Sequence, residues 1–147
     1  MKISICCDHG AVALKNTLRD YLTGLGHEVQ DFGTHTTASC DYPDIVAPAL
    51  AGVADGSLDR GIVLCTTGIG MSIAANKVKG IRCALVGDSL TARMTRQHND
   101  TNVLAMGAGI VGENLAKEIA TTWLDTPFSN EERHVRRLAK LAEMENK

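Results

Sequence analysis

Aromatic residues are nearly missing from this chain: one Trp, two Tyr and two Phe make up 3% of 147 residues. The core therefore has to be built from Ala, Val, Ile and Leu, and the length suits one domain, residues 1–147, that buries a proper core without staples. Excess charge is missing as well. A formal net charge of −2 gives no electrostatic reason to expect nucleic acid or an anionic membrane as partner. No apolar run approaches the roughly 20 residues a spanning helix needs. Met1 leads directly into Ile3-Ser4-Ile5, without a signal-peptide pattern. Zinc-ligand spacing is absent from the five cysteines (Cys6, Cys7, Cys40, Cys65, Cys83), an odd count that reads as reduced thiols of a cytosolic protein. Internal repeats, low-complexity segments and interdomain linkers are also lacking.

What is present is an alternation of strand-like and helix-like segments from end to end. Strands are expected at Lys2–Cys7, His27–Phe32, Gly61–Cys65, Ile81–Val86 and Thr101–Met106, each a short and nearly continuous apolar run. Adjacent Cys6 and Cys7 then point to opposite faces of the first strand. Helices are expected at Ala11–Leu25 (closed by Gly26), at Pro43 to about Ala54 (stopped by Asp55-Gly56), and at Ile69–Lys77. Further helices are expected at Ser89–Gln97 (capped by Asp88 or Ser89), at Glu113–Leu124 and at Asn130–Glu145. Gly33–Tyr42 is polar and turn-rich, hence a loop. Five β-then-α units of this kind predict a parallel sheet covered on both faces, a three-layer α/β/α sandwich. The last helix has few apolar anchors, which fits either packing across a subunit interface or a solvated tail.

Ligands of open parallel sheets gather beyond the carboxyl ends of the strands. That rule converges Asp8-His9, the Asp41-Tyr42 loop and Cys65–Gly70 on one edge. The third cluster lies in G-I-V-L-C-T-T-G-I-G-M-S-I-A-A-N-K, Gly61–Lys77, where an apolar strand delivers Cys65 to a loop rich in backbone N–H donors. Gly68 and Gly70 let the backbone approach a ligand, and the expected helix adds its N-terminal partial charge. Such surroundings favour a thiolate. A buried structural cysteine beside a tight glycine turn explains the same residues. The loop is neither a dinucleotide fingerprint nor a P-loop, because neither G-x-G-x-x-G nor Gly-Lys-Ser/Thr is built on it. Asp8-His9 suits acid–base or phosphate-binding work, while Asp8 could equally cap the following helix. Arg96–Asn102 is a dense polar run at the amino end of the fifth strand, the wrong edge to reach Cys65. If His98 is catalytic, a second subunit must supply it. Arg133 and Arg137 share one helix face, as a phosphate clamp or a solvated face would have them.

These clusters, in this order, resemble ribose-5-phosphate isomerase B and its relatives that isomerise galactose 6-phosphate or allose 6-phosphate. The segments that carry the resemblance are C-D-H at Cys7–His9, D-Y-P at Asp41–Pro43, C-T-T-G-I-G-M-S-I-A-A-N-K at Cys65–Lys77, R-Q-H-N-D-T-N at Arg96–Asn102 and R-H-V-R-R at Arg133–Arg137. The resemblance implies a five-stranded Rossmann-like domain, a homodimer with active sites shared between subunits (dimers could pair into tetramers), a sugar-phosphate substrate, and no metal or organic cofactor. It implies Cys65 as the thiol that moves a proton between C1 and C2, and the amides of Thr66, Thr67, Gly68, Ile69, Gly70, Met71 and Ser72 as the loop that holds the enediolate. Asp8 and His98 match residues that open the furanose ring. Thr67, Tyr42 and Asn99 match sugar contacts, and His9, Arg133 and Arg137 match phosphate ligands, with His98, Asn99 and the arginines coming from the partner. Met71 beside Cys65 places the chain in the thiol branch of the family, since the other branch carries glutamate there. Ribose 5-phosphate is the implied substrate, with a role in pentose phosphate metabolism. A tetrose, allose or galactose phosphate is the alternative, and a noncatalytic sugar-phosphate-binding subunit the reading from another class. Two positions depart from the family pattern. Thr66 replaces a glycine, and Gly109 stands where G-x-R-V-V-G has its arginine, a change worth roughly 1.5–3 kcal/mol of phosphate binding if that charge is simply lost.

Overall fold

In a computed structural model describing residues 1–147, the strands are β1 (Lys2–Cys7), β2 (Glu28–Asp31), β3 (Arg60–Cys65), β4 (Cys83–Leu85) and β5 (Val103–Gly107). They pair all-parallel in the order β2-β1-β3-β5-β4. The helices are α1 (Val12–Gly24), α2 (Tyr42–Asp55), α3 (Ile69–Ala75), α4 (Ser89–Asn99), α5 (Glu113–Asp125) and α6 (Glu132–Glu145). Strand order reverses between β1 and β3, and the crevice at that reversal is where such sheets take ligands.

Alternating side chains of the strands divide the core in two. Ile3, Ile5, Cys7, Ile62, Leu64, Leu104 and Met106 pack beneath α1, α4 and α5, while Cys6, Val63, Cys65, Val103 and Ala105 pack beneath α2 and α3. Cys6 and Cys7 thus lie on opposite faces, as expected. Aliphatic side chains dominate both layers, and each full burial of a Leu- or Ile-sized group contributes about 1.5–3 kcal/mol. The one tryptophan is wholly buried and satisfies its ring nitrogen by donating from Nε1 to Thr101 Oγ1 at 2.9 Å.

Several boundaries differ from the sequence expectation for local reasons. β4 is shorter than Ile81–Val86 because Asn102 intercepts its start: its Oδ1 accepts from Arg82 N at 2.8 Å and its Nδ2 donates to Gly80 O at 2.8 Å. α3 stops at Ala75 because Asn76 turns its side chain to Ser72 O and to both backbone groups of Cys83, at 2.9 Å each. α4 continues to Asn99 and ends where Asp100, in the left-handed region at φ 43°, donates its N–H to Arg96 O. Pro43 is the second helical residue of α2 rather than its first, and Pro48 lies inside that helix. Asp88, not Ser89, caps α4, accepting from Thr91 N at 2.7 Å.

Candidate active site

The carboxyl ends of β1 and β3 are neighbours in register, Cys7 beside Leu64, so the loops that follow them meet. Cys65, the last residue of β3, is 6% exposed, and its Sγ accepts the N–H of Gly68 at 3.0 Å. Gly68 is the one residue that can close this turn. It stands at φ 78°, and an added Cβ would lie 2.8 Å from the Met106 carbonyl carbon and 2.5 Å from Leu85 Cδ1. Thr67 accepts Ile69 N–H on its hydroxyl at 3.3 Å, which leaves its own O–H free to donate. Gly70 and Met71 have no acceptor within α3 for their N–H groups, as befits the first turn of a helix. The Tyr42 ring lies over Gly70, whose absent Cβ would come 3.0 Å from Cζ.

Asp8 does not cap α1. The cap position is Ala11, without a side-chain bond, and Asp8 Oδ1 instead accepts Gly10 N–H at 2.8 Å. Oδ2 has no protein donor. His9 faces the loop of residues 33–42, where Cys40 brings its N–H to 3.4 Å and its Sγ to 3.7 Å from Nδ1. A donor at Nδ1 fixes the proton on Nε2, the nitrogen left to meet an anion. Three other thiols are held neutral by burial: Cys6 is pushed well above the ordinary thiol range, and Cys7 and Cys83 are pushed up to about 12. No three His, Cys, Asp or Glu side chains gather as a metal site.

The remaining site residues form a second group. His98 and Asn99 occupy the last turn of α4 rather than a loop, at the amino edge of β5, while Cys65 pairs with Gly107 at the other end of that strand. Along the five residues of β5, roughly 13–17 Å separate the two edges. There His98 stacks on His134 of α6, with ring centroids 4.6 Å apart and planes 6° from parallel. His134 is 4% exposed, and its Nε2 has no hydrogen-bond partner. Burial, then the charges of His98 and Arg133, push its pKa below the ordinary imidazole value. Arg133 and Arg137 project from the same helix, Arg133 bonded through Nε to Glu131 at 2.8 Å. The candidate residues therefore fall into two groups on opposite edges of the sheet: Asp8, His9, Tyr42 and Cys65–Ser72 in one, and His98, Asn99, Arg133 and Arg137 in the other.

Cys40 and His134 were not signalled by sequence. Cys40 sits two residues before Tyr42 in a loop already expected at the site, and His134 sits inside the basic cluster. Neither spacing distinguishes a functional partner from a bystander. The β5–α5 turn does spell G-x-G-x-x-G, Gly107–Gly112. A dinucleotide unit would continue into another strand, whereas α5 runs on to α6. Its first two glycines are instead taken up by the Cys65 loop: a Cβ on Gly107 would lie 2.6 Å from Thr67 backbone, and one on Gly109 3.1 Å from Thr66 O.

The doubly wound parallel sheet brings a cysteine and an acid–histidine pair together at its switch point, and comparison with known proteins assigns that arrangement to a class of isomerases. The family model described as Ribose/Galactose Isomerase matches residues 3–141, and the chain belongs to that family of isomerases. Ribose-5-phosphate isomerase B of Escherichia coli is 41% identical over 99% of this chain and 97% of its own length. D-erythrulose-4-phosphate isomerase of Pectobacterium atrosepticum is 44% identical over 87% of this chain and 85% of its own. The solved structure of Clostridium thermocellum ribose-5-phosphate isomerase B superposes with a TM-score of 0.96 at 50% identity, covering 99% of this chain and 98% of that one.

Proposed function

We propose that the chain interconverts ribose 5-phosphate and ribulose 5-phosphate by proton transfer between C1 and C2, in a homodimer whose two active sites each draw on both subunits. The observation that carries the chemistry is Cys65 Sγ at the rim of an amide-rich loop, held by Gly68 N–H at 3.0 Å beside the Asp8–Gly10 turn. Asp8 and the partner-supplied equivalent of His98 open the furanose by moving the O1 proton to the ring oxygen. Cys65, as thiolate, then takes the C2 proton. The electron pair forms the C1=C2 bond of an enediolate, and the negative charge on O1 meets loop N–H groups and the Thr67 hydroxyl. Return of the proton from Cys65 to C1, with transfer of the O2 proton to O1, completes the ketose. No electron carrier is needed. His9 Nε2, with Arg133 and Arg137 of the other subunit, holds the phosphate.

Support for the shared site comes from the separation of the two groups and from exposed apolar side chains beside the first of them. Ile69 and Ile73, one turn apart on α3, are 52% and 55% exposed. Chains carrying Cys65→Ala and chains carrying His98→Ala should each be inactive on ribose 5-phosphate, and mixed dimers should regain activity. No recovery in verified hybrids refutes the shared site. Near-normal turnover by Cys65→Ala refutes the base. A four-carbon substrate is the second reading, favoured by the 44% identity to an erythrulose-4-phosphate isomerase. Aldose–ketose turnover measured across tetrose, pentose and hexose phosphates decides between them, and no turnover of any would leave a binding protein.

A further inference from the structure

The last four carbonyls of a helix have no partner within it, and in α4 they belong to Arg96, Gln97, His98 and Asn99. Arg96 O accepts Asp100 N–H at 3.2 Å, and Gln97 O accepts Ser129 N–H at 3.1 Å. Asn99 O is met by Arg82, which lies just before β4. Arg82 Nε is 3.2 Å from Asn99 O and 3.1 Å from Asp100 O, and Nη2 donates to Asp100 O at 2.7 Å and to Asp100 Oδ2 at 3.1 Å. Every hydrogen bond of this guanidinium thus goes to the two residues that follow His98. Arg82 is itself tied down, its N–H to Asn102 Oδ1 at 2.8 Å and its carbonyl to Asn102 N–H at 3.1 Å. From the other side the buried Arg96 donates Nη1 to Asp100 Oδ1 and to Thr101 O, at 2.7 Å each. Two guanidinium groups therefore hold a residue other than glycine in the left-handed region, at φ 43°. Backbone in that region persists where its surroundings over-determine it, and such places cluster at functional sites.

We infer that Arg82 is a positioning residue: its fork over Asn99 and Asp100 sets the turn that presents His98 and Asn99 to the Cys65 group of a second subunit. This rests on the proposed isomerase with shared sites. A cation at this end of α4 also offsets the negative end of the helix dipole, which a lysine would do as well. A lysine lacks the planar fork that spans two carbonyls and a carboxylate at once. Proton transfer demands a donor within hydrogen-bond reach, and misplacement by about 1 Å can cost about 100-fold in rate.

The test is kcat for ribose 5-phosphate in full-length R82M and in mixed dimers that contain it. R82M alone should lose at least about fivefold, and a smaller loss overturns the inference. Paired with C65A chains, R82M chains should recover to the level of C65A–H98A hybrids, because one site then combines an intact Cys65 with an intact His98 turn. Paired with H98A chains they should stay at the R82M level or below, since no site then has both. A merely structural role of Arg82 would respond alike to both partners, and equal recovery overturns the inference. Recovery with H98A chains but not with C65A chains overturns it too, because Arg82 would then serve the Cys65 of its own chain. A wild type inactive on ribose 5-phosphate, or no recovery in C65A–H98A hybrids, removes the shared-site reading and this inference with it. If R82M fails to fold by thermal denaturation, R82K goes through the same pairings and should show the same asymmetry.

Discussion

Replacing Asp31 with asparagine should destabilise this protein more than any single surface change, and more than replacing the lysine it pairs with. Lys15 is a helix residue with no exposed side-chain surface, and its Nζ lies 2.7 Å from both Asp31 oxygens. The only other polar neighbour of that ammonium is His35 Nδ1 at 3.4 Å. Asp31, by contrast, is 12% exposed and keeps two other donors, Arg19 at 3.0 Å and Gly33 N–H at 2.9 Å. Asp31→Asn therefore strands a fully buried ammonium, a change of about 3–5 kcal/mol. Lys15→Met leaves a carboxylate that still has partners, and the loss falls to about 1.5–3 kcal/mol. For a chain of this size each kcal/mol moves Tm by about 2–4 °C, so the expected falls are roughly 6–20 °C and 3–12 °C. Equilibrium urea unfolding of both variants measures the difference. A pH series adds a second signature. Burial raises the Asp31 carboxyl, but the Lys15 and Gly33 hydrogen bonds outweigh it and hold the group below the ordinary carboxylate value. Its contribution is therefore complete above about pH 4 and is lost as pH falls through the folded-state value, a slope that Asp31→Asn should lack. Because Asp31 also anchors the start of the loop that brings Cys40 to His9, KM for the sugar phosphate should rise in the variant. An Asp31→Asn protein as stable as Lys15→Met, or more so, refutes the reasoning.

His134→Ala should lower kcat for ribose 5-phosphate by up to about tenfold, the scale of a lost aromatic stack of 0.5–1.5 kcal/mol, while His134→Phe retains most of it. A tetrose 4-phosphate has no free hydroxyl with which to close a furanose, so its turnover should be spared if the ring of His134 works by orienting His98. Equal losses on both sugars would contradict that role. Gly68→Ala combines φ-region strain of about 1–3 kcal/mol with a Cβ driven into Leu85 and the β5 backbone. It should cost at least as much stability as Lys15→Met, and it should abolish turnover by displacing the N–H that Cys65 accepts. A well-folded, active Gly68→Ala enzyme, seen by calorimetry and assay, would contradict the account of this turn.

The alternation of apolar runs made the five strands and six helices legible, because a strand buried on both faces must be nearly continuous in apolar residues. What remained hidden was where side chains interrupt backbone ladders. Asn102 shortens β4 by bonding to the backbone of Arg82, 20 residues before it, and Asn76 ends α3 by bonding to Cys83 across the next turn. Asparagine in a loop carries no mark that tells such a brace from a solvated turn residue. The placing of His98 and Cys65 on opposite sheet edges was legible, since His98 precedes a strand whose far end meets Cys65. That followed from the direction of a parallel strand and needed no side-chain geometry.

Pairings across loops are of another kind, and Thr66 illustrates why. Read along the chain, Thr66 and Gly109 are two unrelated departures from a family pattern, one that adds a side chain and one that removes a charge. In space they are neighbours: a Cβ at position 109 would come 3.1 Å from Thr66 O and 3.3 Å from its methyl, so a side chain there would press on the Thr66 loop. A side chain at 109 is thus disfavoured beside Thr66, and a side chain on Gly10 would overlap the Thr66 hydroxyl. The missing arginine is then better explained by volume than by a simple loss of affinity. Under the proposed function the phosphate charge is met instead by Arg133 and Arg137, two exposed guanidinium groups one turn apart on α6. On that argument, restoring Gly109→Arg in the wild-type background should weaken turnover rather than improve it.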